Sequence, residues 1–428
     1  MKLQLTVIVA LLFFGLVFSV PVRAQSVAIV MPSDVRGAYD VNPLLNSNYT
    51  GKGVTVAIVN TGIDSTFYSD IKMFDGKYGL PDPIVSIVRP NGAAGTSQET
   101  PQAETTADVE LVHAMAPDAK ILLVLVGGVS VLPGGFSYVI DNNAADIAME
   151  SPSSWWSGSG AANWAQSYNA EYAKSVAEKI TLIAASNDFG SNNTYPDDFY
   201  TGSGFWTTLT PPVYMMPQYS PYVTAVGGTV LTVEPNGSYS EVGWPQSGGG
   251  PSALFPEPSW QMGPGVPQNG YRNIPDIALD ASCQTPYAID WNNDKWTYFC
   301  GTSGATPTFA GILADIQEAA GGRLGFLNPT LYSLAVSDPS VYHDITSGCS
   351  ILQPNPTNPN SKRNGYCAQP GWDFVTGWGS VDAVKLATHL APSTHLVSAS
   401  AAGVTISFRP ISVTVLVTTR KPAKMKLT

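Results

Sequence analysis

Short apolar runs rich in β-branched residues alternate with helical patterns along the first half of the chain. The runs typical of strands are Lys52–Asn60, Pro83–Val88, Ala119–Val126 and Ile180–Ser186, and the helical patterns cover Glu104–Met115, Ile140–Glu150 and Ala161–Lys179. Strands that are apolar throughout are typical of a parallel sheet that is covered on both faces. The alternation therefore predicts an α/β fold with a mainly parallel, twisted β-sheet and helices on both faces.

Charged residues are scarce, and most of them are acidic. They make up 12% of the 428 residues, with 21 Lys and Arg against 32 Asp and Glu, for a net charge of −11. So few basic groups offer little to a phosphate backbone, which argues against nucleic acid as a partner. Carboxylates lose their charge on acidification, so the chain avoids the positive self-repulsion that drives acid unfolding. This composition suits an acidic milieu.

The beginning of the chain has the pattern of an export signal. Lys2 is followed by a long apolar run and then by Val22-Arg23-Ala24, a plausible small-residue cleavage site. We therefore predict a signal peptide over residues 1–24 and a secreted, extracellular protein. The alternative is an uncleaved membrane anchor, because the run approaches the length that spans a bilayer. If the signal is cleaved, we expect no stable membrane span.

Four cysteines in an exported chain are expected to form disulfides. Cys283–Cys300 together with Cys349–Cys367 is the simplest of three possible connectivities, because it joins neighbours in the sequence. We assign residues 25–392 to the main domain and residues 393–428 to a tail whose role the sequence does not reveal. The apolar run in that tail is too short to cross a membrane. We expect the protein to be a monomer.

The sharpest motif is Gly301-Thr-Ser-Gly-Ala-Thr-Pro-Thr-Phe-Ala-Gly311, which continues as an apolar helical run. It places Ser303 at a helix N-terminus, where free backbone N–H groups favour negative charge that develops nearby. Pro307 fits the first helical turn, where its missing N–H costs little. A Gly-Thr-Ser alone is commonly just a turn and a cap. The full string, however, resembles the nucleophile segment of the subtilisin-like serine peptidase clan.

The residues that would activate Ser303 differ from the corresponding residues of ordinary subtilisins. Those enzymes take their base from a Gly-His-Gly-Thr-His string, and no histidine here (His113, His343, His389, His395) lies in one. Asn60 stands where subtilisins carry their strand-end aspartate. Glu104 and Asp108 instead lie four residues apart, on one helical face, close enough to share a proton. Acids in a first helical turn can also simply complement the helix dipole.

The sequence around that acid pair resolves the choice. Glu104-(x)3-Asp108 and the following Val-Glu-Leu-Val-His-Ala-Met-Ala-Pro are similar to the catalytic helix of the sedolisins, the serine-carboxyl peptidases. Ala184-Ala-Ser-Asn-Asp-Phe-Gly190 is similar to the segment that supplies this family's oxyanion aspartate, which falls on Asp188. Further strings similar to those of the family occur in the family's order, so the resemblance extends from about residue 31 to residue 390. The resemblance implies a subtilisin-like fold.

The resemblance also implies a mechanism. Ser303 would attack the peptide carbonyl while Glu104 accepts its proton, and Asp108 would hold Glu104 through a short shared hydrogen bond. The Ser303 backbone N–H and a protonated Asp188 would bind the oxyanion, with Asp188 a donor only while neutral. At roughly pH 3 to 4 a histidine base is already protonated, whereas a carboxyl group with a pKa of about 4 titrates there. His113 is expected to be a packed or surface residue.

Two strings near the end of the domain resemble the family's calcium loop. They are Tyr342-His-Asp-Ile-Thr-Ser-Gly and Gln369-Pro-Gly-Trp-Asp-Phe-Val-Thr-Gly-Trp-Gly379. The family pattern implies one structural Ca²⁺, held by the side chains of Asp344 and Asp373 and the backbone carbonyls of Ile345, Gln369 and Gly371. Carboxylates and turn carbonyls form the hard oxygen cage that Ca²⁺ prefers. The alternative is an Asx-turn network without metal.

Two departures from the family bear on these expectations. Sedolisins usually carry a long folded pro-segment, whereas about 26 residues separate the predicted signal from Gly51-Lys-Gly here. Folding would then proceed without an intramolecular chaperone, or with a helper that is a separate chain. Many sedolisins also carry an acid where this chain has Asn60, and that acid extends the proton network. The substitution affects the expected tuning of Glu104.

The function expected from these residues is that of a secreted, acid-active endopeptidase acting on protein or peptide substrates. One alternative is a tripeptidyl-type exopeptidase of the same family, which needs an acidic group or a blocked cleft to hold the substrate amine. Another is a catalytically silent surface or binding protein on the same scaffold. Such a protein would be expected to lose one of four residues, all present here: Ser303, Glu104, Asp108 and Asp188.

Overall fold

A computed structural model describes residues 28–90, 102–127, 132–157, 159–191, 199–200, 206–207, 213–350, 365–391, 407–409 and 412–414. The helices are α1 Pro32–Ala38, α2 Asn42–Asn46, α3 Phe67–Tyr78, α4 Gln102–Met115, α5 Pro133–Asp141, α6 Ala161–Tyr172, α7 Ser175–Glu178, α8 Thr302–Ala320, α9 Asn328–Ser337 and α10 Ala383–Leu390. The first eleven strands are β1 Thr55–Asn60, β2 Ile84–Val88, β3 Lys120–Leu125, β4 Ile147–Glu150, β5 Ser154–Ser157, β6 Thr181–Ala185, β7 Phe199–Tyr200, β8 Trp206–Thr207, β9 Val213–Met216, β10 Thr224–Val233 and β11 Tyr239–Gly243. The remaining strands are β12 Gly250–Pro256, β13 Tyr271–Ile274, β14 Ile277–Asp280, β15 Tyr287–Trp291, β16 Trp296–Phe299, β17 Tyr342–His343, β18 Cys349–Ser350, β19 Tyr366–Cys367, β20 Ser380–Val381, β21 Ser407–Arg409 and β22 Ser412–Thr414.

The central sheet has the strand order β11-β10-β6-β4-β1-β3-β2, with β14 beside β10. All neighbours in it are parallel except β10 and β11. In β1, Val56 and Ile58 face one apolar cluster, and Ala57 and Val59 face the other. Because both faces of the strand are buried, its sequence is apolar without a break. The predicted α/β class, with a mainly parallel sheet covered on both faces, is confirmed.

The helix predicted over Ile140–Glu150 is wrong. α5 ends at Asp141, Asn143 adopts a left-handed backbone conformation with φ of 47°, and Ile147–Glu150 forms the central strand β4. Asparagine tolerates that conformation better than most residues, so it ends the helix and lets the chain turn into the sheet. The predicted helix over Ala161–Lys179 forms, but as two helices, α6 and α7.

The two disulfides predicted from sequence neighbours are present. Cys283–Cys300 closes the base of the β15–β16 hairpin, and Cys349–Cys367 joins β18 to β19. The predicted tail contains the antiparallel pair β21–β22. The predicted signal peptide lies outside the described residues. Among the described residues, no helix is both long and apolar enough to cross a bilayer.

The long helix α8 packs directly against α4, and a glycine allows the close approach. A side chain at Gly311 would lie 2.6 Å from the Cβ of Met115 and 2.8 Å from the carbonyl oxygen of Val112. Both distances are too short for any larger residue to fit without displacing α4. The contact therefore sets the spacing between the helix that has Ser303 in its first turn and the helix that carries Glu104 and Asp108.

Candidate active site

Three polar residues follow the carboxyl ends of adjacent parallel strands. Asn60 ends β1, Ser151 follows β4, and Asp188 lies three residues after β6. These strands are neighbours in the order β6-β4-β1, so their carboxyl ends meet at one edge of the sheet. Ligand and catalytic sites of parallel α/β sheets form at such edges. The four predicted catalytic residues converge here.

Ser303 and Glu104 are in contact across the gap between α8 and α4. The side chain of Ser303 lies close enough to the carboxyl group of Glu104 for hydrogen bonding between them to lower the pKa of Glu104. Both residues are only half-buried, so a substrate can reach them. Loss of hydration raises the pKa of Glu104 to about 7, although the bond from Ser303 opposes this rise. The value is higher than the sequence-based expectation of about 4, because that expectation took a hydrated carboxyl group as its reference.

Asp108 lies one turn deeper in α4 and is fully buried. Its Oδ1 accepts a hydrogen bond from the Ser151 hydroxyl at 2.7 Å, and its Oδ2 accepts one from the Asn60 side-chain amide at 3.2 Å. Burial raises the pKa of Asp108 well above its usual range, and negative charge on Glu104 raises it further. Asn60 therefore contributes a neutral donor where an acid would have added charge. The predicted shared hydrogen bond between Glu104 and Asp108 stays a prediction.

Asp188 lies beside the start of α8. Its Oδ1 accepts hydrogen bonds from both the backbone N–H and the hydroxyl of Thr302, at 2.8 and 2.9 Å. Loss of hydration raises the pKa of Asp188 to about 6, against the opposing effect of these two bonds. Gly301, with φ of 112°, brings the backbone so close that a Cβ there would lie 2.5 Å from Oδ2 of Asp188.

Pro307 has a different place from the one predicted. It is the sixth residue of α8, beyond the first turn. Because proline has no N–H, the carbonyl of Ser303 lacks the hydrogen bond that residue 307 would otherwise donate. The hydroxyl oxygen of Ser151 lies 3.3 Å from that carbonyl oxygen. Ser151 thus lies between the nucleophile's backbone and the carboxyl group of Asp108.

The charges of the two cleft carboxyl groups depend on each other. Negative charge on Asp188 contributes to the raised pKa of Glu104. Protonation of Asp188 therefore makes Glu104 easier to ionise, and the pair favours states that carry a single negative charge. Since the pKa of Glu104, about 7, lies above that of Asp188, about 6, the major singly charged state has Asp188 ionised. A general base beside a carboxyl donor requires the minor state, with Glu104 ionised and Asp188 protonated.

Sequence reasoning missed two residues of this site. Ser151 is a lone serine, and its place after a strand was hidden because β4 was predicted to be part of a helix. Thr302 belongs to the predicted Gly-Thr-Ser turn, but the sequence gives no reason to pair it with Asp188, which is 114 residues away. The histidine expected to be non-catalytic is fully buried on α4: His113 Nε2 lies 2.7 Å from the carbonyl oxygen of Pro81 and 3.3 Å from Asp75 Oδ1.

The two strings of the predicted calcium loop come together in the structure. Asp344 Oδ2 accepts a hydrogen bond from the backbone N–H of Gly371 at 3.0 Å. Asp373 is buried, and its Oδ1 accepts from the N–H groups of Val375 and Thr376 at 2.8 and 2.9 Å. Burial raises the pKa of Asp373 to about 6. Two carboxyl groups and the carbonyls of the same turns supply only hard oxygen donors, so the residues present fit Ca²⁺.

Comparison with known proteins yields relatives over most of the chain. Kumamolisin from Bacillus sp. (strain MN-32) is 32% identical over 404 residues, which cover 87% of this chain and 66% of kumamolisin. Tripeptidyl-peptidase 1 from Homo sapiens is 35% identical over 237 residues, which cover 50% of this chain and 38% of that protein. The chain thus spans about two thirds of the length of one relative and well under half of the other. No family model matches the chain.

A solved structure has the same fold. It is that of a Pseudomonas sedolisin, a serine-carboxyl proteinase complexed with two molecules of pseudo-iodotyrostatin. The two chains superimpose with a TM-score of 0.70 at 28% sequence identity, over 85% of this chain and 98% of the other. The predicted subtilisin-like character of the fold is therefore confirmed.

Proposed function

The chain belongs to the sedolisin family of serine-carboxyl peptidases, and from this premise we propose that it is a secreted, acid-active endopeptidase. The observation that carries the proposal is the closeness of the Ser303 side chain to the carboxyl group of Glu104. Beside them lies Asp188, which forms no salt bridge with any of the described residues. A serine that donates to a carboxylate has the arrangement of an activated nucleophile. The two disulfides fit an oxidising compartment outside the cell.

The reaction begins with attack of Ser303 Oγ on the carbonyl carbon of the peptide bond. Glu104 accepts the hydroxyl proton as the C–O bond forms, and the carbonyl oxygen becomes an oxyanion. The backbone N–H of Ser303 and the protonated carboxyl group of Asp188 donate hydrogen bonds to that oxyanion. Glu104 then gives its proton to the leaving amine as the C–N bond breaks. An acyl-enzyme on Ser303 remains.

Deacylation follows the same steps with water as the nucleophile. Glu104 takes a proton from the attacking water, and it returns this proton to Ser303 Oγ when the acyl group leaves. Asp108 stays inside the fold and, one turn after Glu104, anchors α4 through its bonds to Ser151 and Asn60. Because Asp108 is buried beside Glu104, a proton on Asp108 lets Glu104 carry the negative charge alone.

The activity is tested with an unfolded, unblocked protein substrate between pH 3 and pH 7. We expect the wild type to release internal fragments of varied length at acid pH, and Ser303→Ala to release none. Cleavage by Ser303→Ala at the wild-type rate would contradict the proposal and favour a silent scaffold or a contaminant. Tripeptides released stepwise from the free N-terminus would favour the exopeptidase alternative, which the similarity to tripeptidyl-peptidase 1 keeps open.

We also propose a structural Ca²⁺ held by Asp344, Asp373 and the backbone carbonyls of Ile345, Gln369 and Gly371. Such an ion would hold the loop after β17 against the turn that begins at Gln369. Ligand binding stabilises a fold by about 2.7 kcal/mol when the free ligand exceeds its Kd a hundredfold. A chelator should therefore lower the Tm of the wild type, and excess Ca²⁺ should restore it.

Asp373→Asn is the test variant for this ion, since it keeps the size of the side chain and most of its turn hydrogen bonds. We expect its Tm to be lower than that of the wild type and insensitive to chelator or Ca²⁺. Asp338→Asn is a matched control, because Asp338 lies on the same part of the chain but its side chain is 40% exposed. A chelator response that is the same in wild type and Asp373→Asn would contradict the site and leave the Asx-turn network.

A further inference from the structure

Thr302 directs two hydrogen-bond donors at one oxygen of Asp188. Its backbone N–H lies 2.8 Å from Oδ1 and its hydroxyl oxygen lies 2.9 Å from the same atom. Among the described residues, Oδ2 of Asp188 has no hydrogen-bond partner. The two oxygens of this carboxyl group are therefore in different environments, and the difference comes from the residue that precedes the nucleophile.

A neutral carboxyl group has one carbonyl oxygen, which accepts, and one hydroxyl oxygen, which donates. A hydroxyl group can turn to donate or accept, but a backbone N–H can only donate. The N–H of Thr302 therefore favours Oδ1 as the accepting oxygen, since a proton on Oδ1 would leave that N–H with a weaker acceptor. The Thr302 hydroxyl, with 1% of the residue exposed, adds a second bond to the same oxygen.

Gly301 keeps the other oxygen free. A Cβ at position 301 would lie 2.5 Å from Oδ2 and 3.5 Å from Oδ1, so a side chain there would press on Oδ2 first. The φ of 112° at Gly301 is also one that side-chain-bearing residues rarely adopt. The glycine thus leaves Oδ2 unobstructed next to the backbone that carries Ser303.

We infer that Thr302 is a positioning residue that fixes the proton of Asp188 on Oδ2, the oxygen that faces the developing oxyanion. This inference rests on the proposed role of Asp188 as the neutral donor of the oxyanion hole. Without the hydroxyl of Thr302, only the backbone N–H would hold Oδ1 as the acceptor. The carboxyl group would be held less firmly, and a larger share of the enzyme would carry the proton on Oδ1 and present an acceptor to the oxyanion.

A merely structural threonine would use its hydroxyl within its own helix. Thr306 and Thr308 do so, donating to the carbonyls of Thr302 and Gly304 at 2.8 Å. Thr302 instead bonds to a side chain 114 residues away in sequence, at the edge of the sheet. The same bond lowers the pKa of Asp188. Loss of the hydroxyl should therefore have two consequences: a slower reaction, and a basic limb of the pH profile that moves to higher pH.

The test compares Thr302→Val, which keeps the shape, with Thr302→Ser, which keeps the hydroxyl, in steady-state assays from pH 3 to pH 8. For Thr302→Val we expect kcat to fall by roughly tenfold to a hundredfold, less than the loss of a whole oxyanion donor. KM should stay within about a factor of two, since the group acts on the transition state. Thr302→Ser should recover most of the wild-type kcat and its pH limb.

Thr308→Val is the matched control, a buried threonine of the same helix whose hydroxyl bonds to the carbonyl four residues earlier. It should keep the wild-type kcat and pH profile. Equal losses in Thr302→Val and Thr308→Val would overturn the inference, as would a Thr302→Val with unchanged kcat and basic limb. Asp188→Ala in the same assay distinguishes failure of the positioning role of Thr302 from failure of the proposed oxyanion role of Asp188. If it is impaired while Thr302→Val is not, only the positioning role fails; if it is as active as wild type, the oxyanion role fails as well.

Discussion

The acidic residues of the cleft and those of the interior both have raised pKa values, but they differ in their exposure and in their contacts. Glu104 and Asp188 have raised pKa values because they lose hydration, and so do the fully buried Glu150, Asp280 and Asp315. The cleft acids are half-buried and contact a hydroxyl or an N–H of the nucleophile's own segment. Glu150 and Asp315 have no hydrogen-bond partner for either oxygen among the described residues.

This contrast shows that a raised pKa does not by itself identify a catalytic group. Glu150 is one residue from Ser151, yet it faces Tyr168 and Tyr172 of α6, on the other face of the sheet from α4 and α8. No substrate can reach it there. Glu104 differs in that it is accessible and lies next to Ser303, the residue that serves as the nucleophile in the proposed mechanism.

Glu104→Gln gives the largest expected effect and tests the contrast most directly. The amide cannot accept the proton of Ser303, so we expect kcat to fall by about 10²- to 10⁴-fold, the usual contribution of a general base. Glu150→Gln, the same change one strand away, should keep the wild-type kcat at acid pH. Activity assays at pH 4, with circular dichroism to confirm folding, measure both. A similar loss in both variants would break the distinction between the two groups of acids.

Substitutions of Asp188 give the next largest expected effect. They separate the effect of its negative charge from that of its ability to donate a hydrogen bond. Asp188→Ala removes the donor, and we expect kcat to fall by about 10²- to 10³-fold. Asp188→Asn keeps a donor that does not titrate. Since Asp188 has its pKa at about 6 and donates only when protonated, wild-type activity should decline as the pH rises through that value.

A kcat–pH profile of Asp188→Asn checks this assignment. The decline above pH 6 should disappear or move to higher pH, because ionisation of residue 188 no longer occurs. If the variant declines with the same midpoint as the wild type, another group causes the basic limb. The interior acids would then be the first candidates, through loss of the folded state and not through the chemistry.

The sequence predicts the parts of this molecule that depend on pattern. Buried parallel strands need apolar residues on both faces, so β1, β3 and β6 could be located from Val, Ile and Leu alone. The proposed catalytic residues could be named because Glu104, Asp108, Asp188 and Ser303 lie in strings that resemble one family. Both disulfides followed from the order of the cysteines.

What the sequence did not predict depends on contacts between distant segments. Strand β4 has only four residues and follows a true helix, so its apolar residues continue a helical pattern up to Glu150. That single error hid both the burial of Glu150 and the place of Ser151 at the end of a strand. The pKa of Glu104 also differs from expectation, because hydration is lost only when α4 and α8 pack together.

The interior acids should make stability depend on pH. A carboxyl group with a pKa raised in the folded state binds its proton more tightly there than in the unfolded chain. Its stabilising effect is complete at low pH and is lost as the pH rises through the folded-state pKa. Glu150→Gln, which cannot ionise, should gain about 1–3 kcal/mol in unfolding free energy over the wild type at pH 7 and little at pH 4.

Urea unfolding of wild type and variant at pH 4 and pH 7 measures this difference. Glu178→Gln is the matched control, because Glu178 is exposed and should change the unfolding free energy by less than about 0.5 kcal/mol at either pH. If Glu150→Gln loses stability at pH 7 as well as at pH 4, the buried carboxyl group is stabilised by contacts that its amide cannot make. Loss of hydration alone would then not explain how the inaccessible acids differ from the accessible ones.

The smallest effect on kcat is expected from substitution of Ser151. This residue follows the interior acid Glu150 in the chain and bonds to Asp108 of the candidate site. Ser151→Ala removes the 2.7 Å hydrogen bond to Asp108 and the contact with the carbonyl of Ser303 that Pro307 leaves without its helical partner. One such bond is worth about 0.5–1.5 kcal/mol, so kcat should fall by roughly threefold to tenfold. Ser153→Ala, two residues on, should keep the wild-type kcat, since the Ser153 hydroxyl instead accepts from Gln218. Equal kcat values for all three proteins would show that Asp108 is held by α4 and Asn60 alone.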